Sequence, residues 1–322
     1  MSLMFDDIPE LDEVIERLQD EDPEIRCVAV MDLREFDDEE AIPLVVGALS
    51  DSDAGVRLEA AQVMDEFTGV ETAEALVKAL DDSDEDVRKA AALTMAENKN
   101  DAGGAVFIAG VDSEVPFVKA SCLRALRALR ISDSQVVALK CMNHEDANVR
   151  REAVGVLAYL KSDDVLMALM DAARNDKDEN VRRVAIGSLV FSKNEKAAET
   201  LIQGLTDENW QVREESAFVI GKVGQVSAID ALIDTMNDEY WQVRIKAASS
   251  LGKLKDPCAV DVLGQALSYN ISNLRKEAAA ALGEIKSSNA LPFLKAALDD
   301  VDPDVRKVAQ WAIDQINNAS KD

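Results

Sequence analysis

A five-residue pattern, Val-Arg-x-x-Ala, recurs along this chain at an almost constant spacing. The arginine position advances in steps of 31 residues, with a single step of 32 between Arg150 and Arg182. Ten copies occur, at Arg26, Arg57, Arg88, Lys119, Arg150, Arg182, Arg213, Arg244, Arg275 and Arg306. A register kept this long restricts the fold to an array of similar small units, because each unit buries its apolar side only against its neighbours.

Each unit has the period of two α-helices. Apolar residues at Ala41, Ile42, Val45 and Ala48 form one stripe on a helix of 3.6 residues per turn, and a polar turn and the arginine pattern follow. Three residues after each motif position stands a small residue that lets helices approach closely. The sequence therefore predicts an all-α fold, a right-handed α-solenoid of about ten 31-residue helix-turn-helix repeats. A single domain is expected over 1–322, with repeats from about 9 to 316 and short polar tails.

Acidic residues precede the motif arginines at a fixed distance. Aspartates stand four residues upstream, among them Asp53, Asp84, Asp146, Asp178 and Asp302. A carboxylate at the start of a helix accepts hydrogen bonds from free backbone N–H groups, so these residues are predicted to be helix caps. Stacking of the repeats is also expected to bring each arginine near an aspartate of a neighbouring repeat, in a ladder of charge-assisted hydrogen bonds.

The second repeat carries a family resemblance. Its first helix reads AIPLVVGAL from Ala41 to Leu49, and its turn and second helix read DSDAGVRLEAAQVM from Asp51 to Met64. These segments resemble HEAT repeats, and they are most similar to the short repeats of phycobilisome-lyase-type proteins. The resemblance covers about residues 9–316. It implies that the second helices line a concave face and that binding residues lie there and in the turns.

The charge composition limits the classes of partner that the protein can bind. The formal net charge is −27, and residues 1–100 carry 29 acids and 8 bases. A polyanion is repelled by nucleic acid and by anionic membranes, so neither is expected as a general partner. Four cysteines spread over ten repeats do not form a disulfide framework, and no run of 18 apolar residues occurs. We therefore expect a cytoplasmic protein, or one from another reducing compartment.

Aromatic residues are scarce, at three Trp, three Tyr and eight Phe, and some occupy equivalent positions. Trp210 and Trp241 are 31 residues apart in the strings NWQVR and YWQVR, with Tyr240 and Tyr269 in nearby turns. Stacked repeats would place them in one aromatic strip along the turns. Such a strip either anchors a protein partner, as interface aromatics often do, or packs on the neighbouring repeat as a structural variant of the turn.

A second candidate surface is basic. Within 112–151, Arg124, Arg127 and Arg130 follow at steps of three and share one side of a helix. The predicted protein-binding arginines are Arg124, Arg127, Arg150, Arg151, Arg182 and Arg183. They either form a solvated face that balances neighbouring acids or bind an anion, such as an acidic segment of a partner, a propionate or a phosphate.

Catalytic and metal chemistry have little support. The single histidine, His144, lies near Cys141 and one repeat after Cys122, but these three weak metal candidates fall short of the four ligands of a dependable zinc site. No GxSxG elbow or Gly-rich phosphate loop accompanies His144. No catalytic site, metal or cofactor is therefore predicted.

The predicted function is that of a non-catalytic protein-binding scaffold or assembly factor. The family resemblance leaves an alternative open, in which the protein attaches a tetrapyrrole or matures a metal cluster on a client protein, as a phycobilin lyase would. A third class, DNA handling by a helical-repeat protein, has only the basic residues from Lys119 to Arg151 in its favour. Salt-sensitive DNA binding would distinguish this third class from the other two.

Overall fold

The computed structural model describes residues 10–97, 101–160, 162–192 and 195–319. Over these residues the chain forms twenty α-helices and no β-strand, in ten consecutive helix pairs. The prediction of an all-α solenoid of ten helix-turn-helix repeats is confirmed. The tail residues 1–9 and 320–322 lie outside the described residues.

Repeats one to five belong to a compact unit, Met1–Leu160, called unit 1 below. Its helices are α1 (Leu11–Arg17), α2 (Pro23–Asp32), α3 (Asp38–Ala48), α4 (Ala54–Val63), α5 (Val70–Ala79), α6 (Glu85–Glu97), α7 (Gly104–Gly110), α8 (Pro116–Leu129), α9 (Ser134–Cys141) and α10 (Ala147–Leu157). The second helix of each repeat packs against the second helix of the next, and each first helix packs against its own partner. The second helices therefore form one layer of unit 1.

Repeats six to ten belong to unit 2, Lys161–Asp322, with the same arrangement. Its helices are α11 (Asp163–Asn175), α12 (Glu179–Ser188), α13 (Glu195–Gly204), α14 (Trp210–Val223), α15 (Ile229–Thr235), α16 (Trp241–Leu254), α17 (Val260–Ala266), α18 (Ser272–Ile285), α19 (Leu291–Ala296) and α20 (Pro303–Ala319). The expectation of one continuous domain over 1–322 stays a prediction.

The repeat motif forms the core of both units. The small residue three places after the motif position is fully buried in all ten repeats, at Ala29, Ala60, Ala91, Cys122, Ala153, Ala185, Ser216, Ala247, Ala278 and Ala309. The apolar residue before the motif position is also buried in nine repeats, and only Ile25 in the first repeat is 38% exposed. Two of these small residues, Cys122 and Ser216, face Gly110 and Gly204 on the first helices of their own repeats. Small side chains at this position let the two helices of a repeat approach closely, which explains why the motif keeps its register.

The fourth repeat keeps the common helix pair despite its glycines and proline. Its first helix, α7, begins at Gly104 and has seven residues, the same length as α1, α15 and α17. Pro116 does not shorten the second helix, because it is the first residue of α8, where a missing N–H costs nothing. Both helices of this repeat therefore form, and α8 keeps its place in the layer of second helices.

Candidate functional site

The motif arginines are engaged inside the array. In five repeats the guanidinium donates from Nε and Nη2 to both carboxylate oxygens of the aspartate 25 residues later, over 2.6 to 3.0 Å. The pairs are Arg26–Asp51, Arg57–Asp82, Arg182–Asp207, Arg213–Asp238 and Arg275–Asp300. Nη1 of the same arginine donates to a backbone carbonyl of its own repeat. The predicted ladder between repeats is thus confirmed.

Capping and ladder formation are performed by two different aspartates of each acidic turn, whereas the sequence pattern pointed to one. The residue four places before the motif arginine is the helix cap: Asp53 accepts from the backbone N–H groups of Gly55 and Val56. The ladder partner is a different residue, six places before the arginine, such as Asp51 or Asp82. All five predicted caps accept backbone hydrogen bonds at the start of their helices, at Asp53, Asp84, Asp146, Asp178 and Asp302.

Acid is expected to weaken the ladder. The hydrogen bond from Arg57 holds the pKa of Asp82 below its ordinary value near 4. A lowered pKa in the folded state contributes stability that is present above the unfolded value and is lost as pH falls through the folded one. We therefore expect the melting temperature, measured by circular dichroism, to drop below about pH 4. In Arg57→Gln the drop should be shallower; an equal slope in both proteins would contradict a role for this pair.

The ladder changes chemistry between repeats four and five. Lys119 stands where other repeats have arginine, and its Nζ donates to the Val111 carbonyl over 2.6 Å. His144 occupies the place of the ladder aspartate, and its Nδ1 accepts from the Asp146 backbone N–H over 3.0 Å, as Asp51 does for Asp53. His144 therefore has a structural task in the turn.

The weak metal candidates do not assemble into a site. Cys122 is fully buried, and burial raises the pKa of its thiol to about 12. Cys141 is 6% exposed, and burial raises the pKa of its thiol as well. A metal needs deprotonated thiolates, which this environment disfavours. Among the described residues, no three His, Cys, Asp or Glu side chains are placed to hold a metal ion.

The aromatic strip of the turns is partly stacked and partly exposed. Trp210, the first residue of α14, stacks on Tyr240 with ring centroids 5.3 Å apart and planes 11° apart. The guanidinium of Arg213 also lies over the Tyr240 ring, 5.6 Å from its centroid. Tyr240 remains 39% exposed and Trp241 40% exposed. Stacking fixes the ring of Tyr240, so the turn presents a preorganised apolar surface to solvent.

The ninth repeat extends this strip by replacing a ladder carboxylate. Tyr269 stands six residues before Arg275, where the eighth repeat has Asp238. The guanidinium of Arg244 lies over the Tyr269 ring, 5.2 Å from its centroid. A cation–π contact thus takes the place of the salt bridge. The departure from the repeat consensus adds a half-buried ring to the same turns.

The basic surface of unit 1 is built around one buried acid. Glu152 on α10 is 3% exposed. Arg124 and Arg151 each donate to its Oε1 over 3.3 Å, and Arg127 donates to its Oε2 over 3.2 Å. The three arginine side chains are 35 to 45% exposed. We call these four residues the arginine cluster; its three cations and one anion leave two positive charges at the surface.

The remaining predicted arginines have different surroundings. Arg150 is 4% exposed and donates to the backbone carbonyls of His144 and Glu145. Arg182 is 6% exposed in its ladder pair. Arg183 is half-buried and faces Glu215, whose pKa is raised by burial and lowered in part by this cation. The structure therefore brings together Arg124, Arg127 and Arg151 at a surface of unit 1, whereas Arg150 and Arg182 are each buried in the turn of their own repeat.

Two functional candidates escaped the sequence reasoning. Glu152 organises the arginine cluster, yet one glutamate among many carries no distinguishing signal. Phe117, on α8, is 40% exposed beside the cluster in a groove that also contains Arg124. Its position, two residues before Lys119 and next to Pro116, could have marked it as a large apolar residue in a turn.

Helix pairs joined side by side through a buried motif define a helical-repeat solenoid protein. The family model for HEAT repeats matches residues 11–96, 136–221, 167–251, 198–270 and 229–314. These matches span most of the chain, and the protein belongs to the HEAT-repeat family. None of the curated proteins compared with the chain matches it.

Solved structures with a similar fold include natural and engineered repeat proteins. An engineered protein shares 21% identity with a TM-score of 0.52, over 95% of this chain and 98% of its own. YibA of E. coli shares 20% identity with a TM-score of 0.53, over 89% and 95%. Kap95p, in a complex with RanGDP, shares 14% identity with a TM-score of 0.65, over 95% of this chain and 49% of Kap95p. At these identities the likeness concerns the fold, and the chain spans about half of Kap95p.

No helix in the described part of the chain is both long and apolar enough to cross a bilayer.

Proposed function

We propose that this protein is a non-catalytic protein-binding scaffold or assembly factor whose aromatic turns in repeats seven to nine anchor a partner. The observation that carries the proposal is the exposure of Tyr240 and Trp241, at 39% and 40%, on a turn where Trp210 holds Tyr240 in a stack. Large, rigid, amphipathic rings of this kind dominate binding energy at protein interfaces. Tyr269 and Arg244 continue the surface into the ninth repeat.

The charges around the strip indicate the chemistry of the partner. Glu208 and Glu239 flank the aromatic turns, with side chains 86% and 77% exposed. The chain as a whole carries −27. A partner segment with an apolar or aromatic anchor and basic flanking residues complements this surface, because opposite charges speed encounter and exclude acidic competitors. The acidic residues of 1–100 would add to this long-range attraction.

Relatives in fold lend this proposal general support. Kap121p has been crystallised bound to Ste12p, and this chain resembles 42% of Kap121p with a TM-score of 0.65. Helical-repeat solenoids offer extended surfaces suited to protein segments. We place the scaffold in the cytoplasm, a setting compatible with its four cysteines, all of which are unpaired.

Replacing Trp241 should strongly reduce partner capture without unfolding the protein. The test is affinity capture from a native cell extract with mass spectrometry, followed by binding measurements on the captured protein. Trp241→Ala should weaken binding by roughly 2 kcal/mol, a hot-spot value, or about thirtyfold in Kd. The matched control is Trp311→Ala on α20, which removes an indole of similar exposure, 43%, outside the strip.

The control decides between a binding role and a structural one. If Trp241→Ala and Trp311→Ala bind alike, the aromatic strip is not the anchor and the proposal fails. If Trp241→Ala lowers the melting temperature by many degrees, the ring is part of the core instead. Failure of the wild-type protein to capture any partner would also count against a scaffold.

A further inference from the structure

The arginine cluster of unit 1 has a charge that its structural task does not explain. One carboxylate, on Glu152, would be neutralised by a single guanidinium, yet three converge on it. The surplus of two positive charges lies in a chain of net charge −27. On so acidic a surface, an isolated cation usually has an acidic neighbour of its own. Three arginines that share one glutamate therefore concentrate positive charge and N–H donors in one place, which favours the binding of an anion.

The cluster is held in place before any ligand arrives. Glu152 is 3% exposed on α10, so its position is fixed by the packing of the second helices. The stem of Arg127 lies against Gly155, since a Cβ added at this glycine would come 2.8 Å from Arg127 Cδ. Each guanidinium carries five N–H donors, and the bonds to Glu152 use one per arginine. Fixed side chains lose little conformational freedom on binding, which favours affinity.

A groove beside the cluster adds an apolar wall. It has a volume of about 280 Å³ and lies between α8 and α10. Its lining includes the apolar side chain of Phe117, the cluster residues Arg124, Arg151 and Glu152, and Asp146. The carboxylate of Asp146 accepts from the first backbone N–H groups of α10, where the positive end of the helix dipole offsets its charge. Phe117 is 40% exposed. The volume is below the usual range for cofactor sites, roughly 300 to 1,000 Å³, and suits a single side chain.

We propose that this groove binds a phosphorylated side chain of a peptide, with the phosphate on the arginine cluster and an adjacent aromatic or apolar group against Phe117. The arginine cluster itself carries two surplus positive charges, and the Asp146 carboxylate at the edge of the groove is engaged by the start of α10. A phosphate monoester, which carries about −1.5 to −2 at neutral pH and has three acceptor oxygens, uses this charge and these donors better than one carboxylate does. Arginine forks also suit the geometry of phosphate oxygens. A polyanion such as nucleic acid is disfavoured, because the rest of the chain would repel it.

Small probes test the charge of the ligand directly. Phenyl phosphate, titrated calorimetrically into the full chain, should bind, and phenyl sulfate, a monoanion of the same shape, should bind at least about tenfold more weakly. Affinity for phenyl phosphate should fall below about pH 6, where its second proton returns, whereas that for phenyl sulfate should stay level. Equal affinity for the two probes at pH 7.5 would overturn the assignment of a phosphate dianion.

Two variants locate the site. Arg124→Gln with Arg127→Gln should weaken phenyl phosphate binding by about a hundredfold, one factor of ten per lost charge-assisted hydrogen bond. The matched control is Lys222→Gln with Lys253→Gln, two exposed lysines that lie over Phe218 in unit 2 and change the net charge equally. Binding that weakens equally in both variants would reduce the effect to net charge and sink the proposal.

Phe117→Ala gives a readout that does not depend on the salt bridges of Glu152. It should weaken phenyl phosphate several-fold and leave inorganic phosphate unchanged, because only the ester has a ring to place against Phe117. A phosphotyrosine peptide should then bind at least as tightly as phenyl phosphate. If inorganic phosphate binds as tightly as the peptide, the site takes a free anion and the peptide proposal is overturned. Arg124, Arg127 and Phe117 all lie in unit 1, so a failure of these tests is distinct from a failure of the Trp241 test in unit 2.

Discussion

Replacing Asp238 with alanine is expected to destabilise the protein by about 3–5 kcal/mol, the cost of leaving one member of a buried ion pair without its partner. Asp238 accepts from Nε and Nη2 of Arg213 over 2.6 and 3.0 Å, and both side chains are about 10% exposed or less. The hydrogen bond to Asp238 raises the pKa of Arg213, and a guanidinium keeps its proton at neutral pH even when this bond is lost. A buried cation without its carboxylate cannot escape the cost by losing its proton.

The neighbouring residue supplies the control. Glu239 lies 3.6 Å from the same guanidinium, but its side chain is 77% exposed. Glu239→Ala removes the same charge, and we expect a change within about 0.5 kcal/mol, as for other exposed pairs. Urea unfolding followed by tryptophan fluorescence reports on this region, since Trp210 and Trp241 flank the pair in sequence. Equal losses in the two variants would show that net charge, not the ladder, stabilises the repeats.

The sequence predicts the ladder but not which aspartate forms it. The cap at Asp53 and the ladder residue at Asp51 are two positions apart in the same acidic turn. Either could face the preceding repeat, and the choice depends on the turn conformation. The structure separates them because Asp53 bonds to N–H groups of its own helix, which leaves Asp51 for Arg26. Repeat spacing and composition are enough to predict the helix pairs and the buried small residues. Turn geometry, in contrast, decides which aspartate pairs with the arginine.

The surface sites depend on contacts that no repeat pattern encodes. Glu152 stands two residues after a motif arginine, as do Glu59, Glu215 and Glu277, yet it alone of these four is fully buried. Its burial follows from Arg124 and Arg127, which reach it from the preceding repeat. The aromatic strip was predictable as a set of positions. The stacked pair, however, joins Trp210 at the start of α14 to Tyr240, the cap residue of the second helix of the next repeat, α16. Predicting such a stacked pair requires the spatial offset between neighbouring repeats.

Replacing Gly252 with alanine is expected to destabilise unit 2, although alanine is the better helix former. A Cβ at Gly252 on α16 would lie 2.7 Å from the backbone Cα of Ala281 on α18. Backbone cannot rotate away, so the two helices must separate, at a cost of about 1–3 kcal/mol for an overpacked contact. The gain in helix propensity, about 1 kcal/mol, recovers only part of this. Gly221 and Gly283 occupy equivalent positions, 31 residues away on either side, and approach the next helix as closely.

Gly47 shows what the same substitution does where space is open. It lies within α3, and no atom lies within 4 Å of an added Cβ. Gly47→Ala should therefore raise the free energy of unfolding by about 0.4–1 kcal/mol, through the reduced freedom of the unfolded chain. Opposite signs in the two variants, measured by urea unfolding, would show that helix spacing in repeats seven to ten is set by glycine. If Gly252→Ala were as stable as wild type, the layer of second helices would have to be able to widen, and close approach at glycine would not set the helix spacing.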